Sequence, residues 1–384
     1  MHRSRKALVL VAVTWALPAC GSSSTAPPSD VSPDAASEAS PAVDGGPDAA
    51  RDAIGDAELG APIAIPGEAP YDKWTWIDVP EARCAKDTPT GIGINPSTKS
   101  KRLVIFFDGG GSCWGDDNCA ALNLDGYGAT EFAAWVKASG TMGILDRTDA
   151  ANPLADASFV FVPYCTGDLH AGNKVTTYPK LGTLHHLGYP NYTYFLRRIA
   201  PTFREASSVV IAGASAGGGG ALWNYARTHD LFAPTRVFLV DDSGPQLRPP
   251  YYATSIAETR RTVWGLDGTT PKGCKLCNPT DGYWNIQPFL VATYPDFRGS
   301  ILDSRSDALL AIFLGLDSPT VTAALSDLEA AVTSDHFKFF FVAGDQHGFV
   351  LTKPPSAIVS SGVSYADFLR QELSDDPAWK NVDP

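Results

Sequence analysis

Residues 211–220, IAGASAGGGG, carry a single serine among glycines and alanines. They follow the apolar SSVV and precede ALWNYAR, whose pattern is helical. Gly213-Ala214-Ser215-Ala216-Gly217 fits G-x-S-x-G. Between a strand and a helix, this spacing makes a sharp turn that strains the serine backbone and lifts its hydroxyl clear of the sheet. The flanking residues must be small because strand and helix approach closely. The helix N-terminus puts partial positive charge where an oxyanion would develop. The chemistry this suggests is nucleophilic attack by Ser215. A phosphate loop would need Gly-Lys-Ser/Thr and has no lysine here, and a dinucleotide loop would need G-x-G-x-x-G in the same register. A buried structural serine at a glycine-rich helix start is the bland alternative.

A serine nucleophile needs a base, usually histidine, and an acid to orient it. His347, in GDQHGF, lies just past the carboxyl end of the apolar run HFKFFFVAG, whereas His336 opens that run at the far end. His347 is therefore the expected base, and His229, at the end of the helix after Ser215, the expected surface residue. The acid has two sources by pattern. Asp241 and Asp242 end the strand after the elbow, and Asp303 and Asp307 follow the next one; the spacing does not choose between them. FFDGGGSCW (106–114) is a glycine-rich loop after an early strand, able to offer backbone N–H groups to an oxyanion, with the N–H of Ala216 as second donor. A tight turn beside a disulfide is the alternative there.

These residues need elements to hold them. Apolar runs at 101–111, 157–165, 207–213, 235–244, 297–307 (the weakest) and 336–348 read as buried strands. Helical patterns occupy 191–200, 218–232, 307–315, 326–332 and 364–373. Their alternation predicts an α/β fold, a mostly parallel central sheet with helices on both faces and the site beyond the carboxyl ends of the strands; the G-x-S-x-G elbow between strand and helix makes the expected type that of the α/β-hydrolases. That fold predicts the chain order Ser, acid, His.

Net charge is −12 over 384 residues. The acidic balance, without a basic tract, argues against nucleic acid as a partner. MHRSRK followed by ALVLVAVTWA and LPAC reads as an export signal over 1–20, with Cys20 as the lipidated residue of a lipobox. The apolar stretch is too short to span a bilayer, so the membrane is expected only through that anchor. Residues 21–63 hold eight acids, one base and no aromatic residue. Such a segment buries too little to fold and reads as a disordered tether, leaving 64–384 as the folded domain. The six remaining cysteines, Cys84, Cys113, Cys119, Cys165, Cys274 and Cys277, suggest disulfides in an exported protein. Cys274-x-x-Cys277 lacks the second ligand pair a zinc site needs.

Six blocks in order resemble the pectin acetylesterase family, which includes Notum-like carboxylesterases: CAKDTPTGIGIN (84–95), FFDGGGSC (106–113), GILDRTDAANPLADASFVFVPYCTGD (143–168), GASAGG (213–218), DDSG (241–244) and LDSRSD (302–307). The likeness covers roughly residues 74–350. It implies a serine esterase with Ser215 as nucleophile, Asp307 as acid, with Asp242 second, and His347 as base. Gly110, Gly111 and Ala216 match its oxyanion-hole positions. It also implies Cys84–Cys165 and Cys113–Cys119, leaving Cys274–Cys277 as a local pair. Ser112 stands where the family carries an aromatic that shapes the acyl pocket, and Asp108 replaces a glutamate. The expected reaction is hydrolysis of an acyl ester, acetyl on a polysaccharide such as pectin by resemblance, by a monomer without metal or cofactor. Longer acyl or lipid esters are the enzyme alternative, and a non-catalytic carbohydrate-binding surface protein is the alternative of another class.

Other residues have weaker readings. Asp168 and His170 are expected on a loop near the site without a catalytic role. His185-His186 reads as a helix start or buried polar residue rather than a metal pair. Trp74, Trp76, Trp264 and Trp284 read as core or lid packing more than sugar platforms. Gly218, Gly219 and Gly220 are expected to serve close helix packing or room for the acyl group.

Overall fold

The computed structural model describes residue 63, residues 71–122 and residues 124–384. The expected signal segment, Cys20 and nearly all of the expected tether lie outside the described residues.

In chain order the strands of three or more residues are β1 (Thr75–Arg83), β2 (Pro89–Asn95), β3 (Arg102–Phe107), β4 (Ser158–Val162), β5 (Lys174–Tyr178), β6 (Gly182–His186), β7 (Ser208–Ala214), β8 (Val237–Asp242), β9 (Arg298–Ser304) and β10 (Phe337–Val342). The helices are α1 (Asp116–Ala120), α2 (Ala129–Ser139), α3 (Gly188–Thr202), α4 (Ala216–Phe232), α5 (Thr254–Trp264), α6 (Ile286–Thr293), α7 (Ala308–Leu314), α8 (Ser318–Ala331) and α9 (Tyr365–Leu373). Eight strands form one sheet in the order β1-β2-β4-β3-β7-β8-β9-β10. From β4 to β10 all neighbours are parallel, and β1 and β2 add an antiparallel edge. The pair β5–β6 is a separate hairpin.

The apolar runs are continuous because both sheet faces are covered. Successive side chains of a strand point to opposite faces. Leu103, Ile105 and Phe107 of β3 accordingly enter one core with residues of α3, α4, α6 and α8. Val104 and Phe106 enter a second core with Phe132 of α2 and Tyr365, Phe368 and Leu369 of α9. This is the two-sided, mostly parallel sheet that the strand–helix alternation predicts, in the α/β-hydrolase arrangement expected from the G-x-S-x-G elbow.

Several elements differ from the sequence reading. β1, β2, the β5–β6 hairpin, α2, α5 and α6 fall where no element is expected. The helical pattern at 326–332 is the end of a longer helix, α8. His185 and His186 sit on β6 and not at a helix start.

Register brings the functional loops to one sheet end. Phe107 pairs with Gly213, Gly213 with Asp241, and Asp242 with Leu302. The chain leaves β3, β7, β8, β9 and β10 on the same side, and the candidate site is assembled there.

Candidate active site

Ser215 occupies the single position between β7 and α4, with φ 57° and ψ −122°. A positive φ in a residue other than glycine is a strained conformation that concentrates at functional turns. Its N–H donates to Asp242 O at 2.7 Å. A Cβ on Gly213 would stand 2.1 Å from Gly217 O, and one on Gly217 would stand 2.1 Å from Phe107 O. Both neighbours are backbone and cannot step aside, which accounts for the two glycines of G-x-S-x-G. The next three glycines serve packing. A Cβ on Gly218 would meet Asp241 Oδ1 at 2.1 Å, one on Gly219 would meet Gln246 Nε2 at 3.1 Å, and one on Gly220 would meet the His170 ring at 2.7 Å.

His347 follows β10. Its Nδ1 lies 2.6 Å from Asp307 Oδ2. A carboxylate can only accept, so Nδ1 carries the proton and Nε2 is the basic nitrogen. Nε2 is buried and has no protein partner. Asp307 is fully buried at the N-cap of α7, and its second oxygen accepts from Leu310 N at 2.8 Å. One carboxylate thus caps a helix and orients an imidazole. Burial and the nearby Asp307 carboxylate raise Asp303 well above the usual carboxylate range.

Asp242 does not touch the ring. Its Oδ2 accepts from Phe349 N at 2.7 Å and Val350 N at 2.8 Å, and its Oδ1 accepts from Ser243 Oγ at 3.0 Å. Ser243 Oγ in turn accepts from Gly348 N at 3.0 Å. Burial pushes Asp242 up to about 6, although these hydrogen bonds pull the other way. Of the two carboxylates to which the family resemblance narrowed the pattern's four, Asp307 faces the imidazole and Asp242 holds the backbone just beyond it.

The glycine loop is braced from the 164–170 segment. Tyr164 OH donates to Gly111 O at 2.8 Å and accepts from Leu169 N at 3.1 Å. His170 Nε2 donates to Asp108 O at 2.9 Å. Burial lowers His170 to about 4, so the ring is neutral at physiological pH. Gly111 has φ 83°, and a Cβ there would also meet Phe313 at 2.8 Å. Cys113–Cys119 and Cys84–Cys165 are disulfides flanking this region, and Cys274–Cys277 is a third. The bonded Cys274 and Cys277 have no thiolate to offer a metal. No group of three or more ligating side chains is gathered among the described residues.

Ser215 and His347 line one pocket, open to solvent, with Gly111, Ala216, Leu169, Gln246, Tyr252, Arg260 and Phe313. Gly110 lies one residue back in the loop. Leu169 brings the 164–170 loop to the pocket, while Asp168 and His170 are buried behind it. His186 is buried between Tyr178 OH and Thr166 O, both at 2.8 Å. His229 is half-buried and paired with Asp296 at 3.0 Å, which corrects its reading as a surface residue. Trp74 packs against Phe132 and Trp135, and Trp264 is buried with its Nε1 donating to Cys113 O at 2.6 Å. None of Trp74, Trp76, Trp264 and Trp284 lines this pocket. The sequence reading missed Arg260, Tyr252, Gln246 and Phe313, which carry no motif.

A parallel sheet with a strained serine at its central strand–helix turn, and a His–Asp pair carried by the loops after β9 and β10, defines an α/β-hydrolase-type protein. The family described as Pectinacetylesterase matches residues 73–274, and the chain belongs to that family of carboxylic ester hydrolases. A Xenopus laevis palmitoleoyl-protein carboxylesterase of the notum group is 30% identical over 154 residues, covering 40% of this chain and 31% of the relative. The human palmitoleoyl-protein carboxylesterase NOTUM is 26% identical over 243 residues, covering 56% of this chain and 46% of its own length. The chain therefore spans less than half of these curated relatives. The solved structure of the Wnt deacylase Notum from Drosophila matches with a TM-score of 0.63 at 18% identity, over 82% of this chain and 96% of that one. That likeness is one of fold.

Proposed function

We propose that this protein is an exported serine carboxylesterase acting on short acyl esters, acetyl groups on a polysaccharide foremost. The observation that carries the reading is the 2.6 Å contact of Asp307 with His347 Nδ1, which leaves a buried, unpartnered Nε2 in the pocket that Ser215 lines. Ser215 Oγ attacks the ester carbonyl as His347 Nε2 takes its proton. Asp307 stabilises the imidazolium. The N–H groups of Gly110, Gly111 and Ala216 receive the oxyanion, aided by the N-terminus of α4. His347 then protonates the leaving alcohol, and water, activated by the same nitrogen, hydrolyses the acyl-enzyme. The steps use only groups of this chain. Acetyl as acyl group and polysaccharide as carrier rest on the family's name and on the resemblance of the site blocks.

Cys20 anchors the protein in a membrane of the cell envelope by lipidation, and residues 21–63 tether the catalytic domain to it. Two experiments test the reading. The purified chain should release p-nitrophenol from p-nitrophenyl acetate and be labelled by a fluorophosphonate, and Ser215→Ala should abolish both with the fold intact; activity that survives removes Ser215 from its role. Cys20→Ser should move the protein from the membrane to the soluble fraction, and unchanged partitioning would refute the anchor.

A further inference from the structure

Arg260 of α5 is only 5% exposed, yet it lines the pocket of Ser215 and His347. Its Nη2 donates to Ser112 Oγ at 2.9 Å, its Nη1 donates to the Tyr252 hydroxyl, and its Nε has no protein partner. Its guanidinium carbon sits 4.1 Å above the Trp114 ring and 5.1 Å from that of Trp264. Every one of these neighbours is neutral. Among the described residues no carboxylate pairs with it, in a protein of net charge −12 with many acids available.

A buried cation without a counter-charge is costly unless something else compensates it. The aromatic faces and two hydroxyls compensate part of that cost without neutralising the charge. They also fix the plane of the guanidinium, whose fork of donors matches a carboxylate. Ser112 is adjacent to Gly111 of the glycine loop, so the oriented fork belongs to the cavity a substrate must enter to reach Ser215. No other arginine or lysine lines that cavity. One positive charge matches a single carboxylate and would leave a phosphate dianion half neutralised.

We infer that Arg260 forms an anion subsite of this pocket that selects esters carrying a carboxylate close to the scissile bond. The inference rests on the esterase reading for the position of the ester. The carboxylate can belong to the alcohol half, as in an acetylated uronate, or to the acyl half, as in a dicarboxylic acid monoester.

Two matched substrate pairs separate these sources. One is acetylated methyl glucuronoside against acetylated methyl glucoside, and the other is the mono-p-nitrophenyl ester of adipic acid against p-nitrophenyl hexanoate. In one pair kcat/KM of the full chain should favour the carboxylate by roughly 10- to 100-fold, the scale of a charge-assisted bidentate contact. Arg260→Gln should bring that ratio to about 1, and Arg260→Lys, which keeps the charge and loses the fork, should leave an intermediate ratio. Titration calorimetry of the Ser215→Ala chain with the same compounds reads the subsite without turnover, and carboxylate-dependent binding lost in Ser215→Ala/Arg260→Gln supports it even where turnover is absent. Hydrolysis of p-nitrophenyl acetate with no carboxylate preference in either pair overturns the inference and leaves the esterase reading standing. Failure of p-nitrophenyl acetate turnover and of fluorophosphonate labelling removes the esterase reading instead. Neutral and anionic ligands binding the Ser215→Ala chain equally removes the anion subsite whatever the activity.

Discussion

Asp307 spans His347 and the first turn of α7, with one oxygen 2.6 Å from the ring Nδ1 and the other 2.8 Å from Leu310 N. Asp242 approaches the same loop from β8 and holds its backbone, through Phe349 N and Val350 N, together with the Ser243 hydroxyl. The two carboxylates therefore predict different losses. Asp307→Asn presents an amide to Nδ1 and favours the wrong tautomer, so kcat should fall ~10³–10⁴-fold. Asp242→Asn keeps the ring partner and replaces one accepting oxygen by a donor facing an N–H. It should lower the melting temperature and reduce kcat only about 10-fold, consistent with a positioning role. Steady-state kinetics beside thermal melts of both variants decide the matter, and a larger kcat loss in Asp242→Asn would make Asp242 the acid.

The glycines of the α4 start predict an order of tolerance. Alanine at 218 drives a methyl into Asp241 Oδ1, which already accepts from Gly244 N at 3.0 Å, and alanine at 220 drives one into the His170 ring. Each should cost ~1–3 kcal/mol by overpacking. Alanine at 219 meets the end of the Gln246 side chain at 3.1 Å and the Gly244 carbonyl oxygen at 3.3 Å, both farther off than the contacts at 218 and 220, and it gains ~1 kcal/mol of helix propensity. Urea unfolding should rank Gly219→Ala as the mildest of the three; finding it the worst would refute the packing account.

The parts of the fold readable from sequence are those where one residue type has one explanation. The apolar runs of β3, β4, β7, β8 and β10 are buried on both faces, and a strand that is apolar throughout has few other readings. The edge strand β1 and its neighbour β2 were hidden because their chemistry is mixed. TWIDVPEAR carries Pro80 and Glu81, and PTGIGIN reads as a loop. Its glycines are there because a Cβ on Gly91 would meet Ile77 O at 2.0 Å, and one on Gly93 would meet the Phe132 ring at 2.2 Å. Ser215 and His347 were legible as candidates because the elbow spacing and the strand-end position are local. Choosing between Asp242 and Asp307 needs the direction of each side chain, which spacing does not encode. Arg260 was invisible for a related reason. On α5 the buried positions are Ala257, Arg260 and Trp264, and an arginine on a helix reads as its solvent face.

Stability should fall as pH rises toward 8. Burial pushes the Glu372 carboxyl up to about 8, against the pull of its 2.7 Å hydrogen bond with Ser300 and of nearby Arg298. In the unfolded chain a glutamate titrates near ~4.3. Between these values the native state holds a proton that the unfolded state has released, so raising pH favours unfolding by up to roughly 1.4 kcal/mol per pH unit until the folded group ionises. His170 and His186, lowered by burial to about 4, act in the opposite sense only below ~6.5, where the unfolded imidazoles charge. Glu372→Gln removes the carboxyl contribution. The difference in unfolding free energy between wild type and variant should shift in the variant's favour from about pH 6.5 to 8, and a pH-independent difference would show that Glu372 is ionised in the native state.

The pocket predicts a short acyl preference. One wall is apolar, with Leu310, Phe313 and Leu314 of α7, and the wall beside the glycine loop is polar, with the buried Arg260 guanidinium and Tyr252 together with Gln246. Ser112, small and hydroxylated, accepts from Arg260 at a position where the resembling family carries an aromatic. A long alkyl chain reaching that wall would desolvate charged and polar groups without satisfying them, at a cost of roughly 1–3 kcal/mol. Across p-nitrophenyl acetate, butyrate and octanoate, kcat/KM should therefore peak at acetate or butyrate and drop about 10-fold or more by octanoate. Arg260→Met, which replaces the cation by an apolar chain of similar length, should raise the octanoate-to-acetate ratio. A wild-type preference for octanoate would move the acyl group to a different wall, along Phe313 and Leu314 of α7, and would assign the polar side of the pocket to the alcohol.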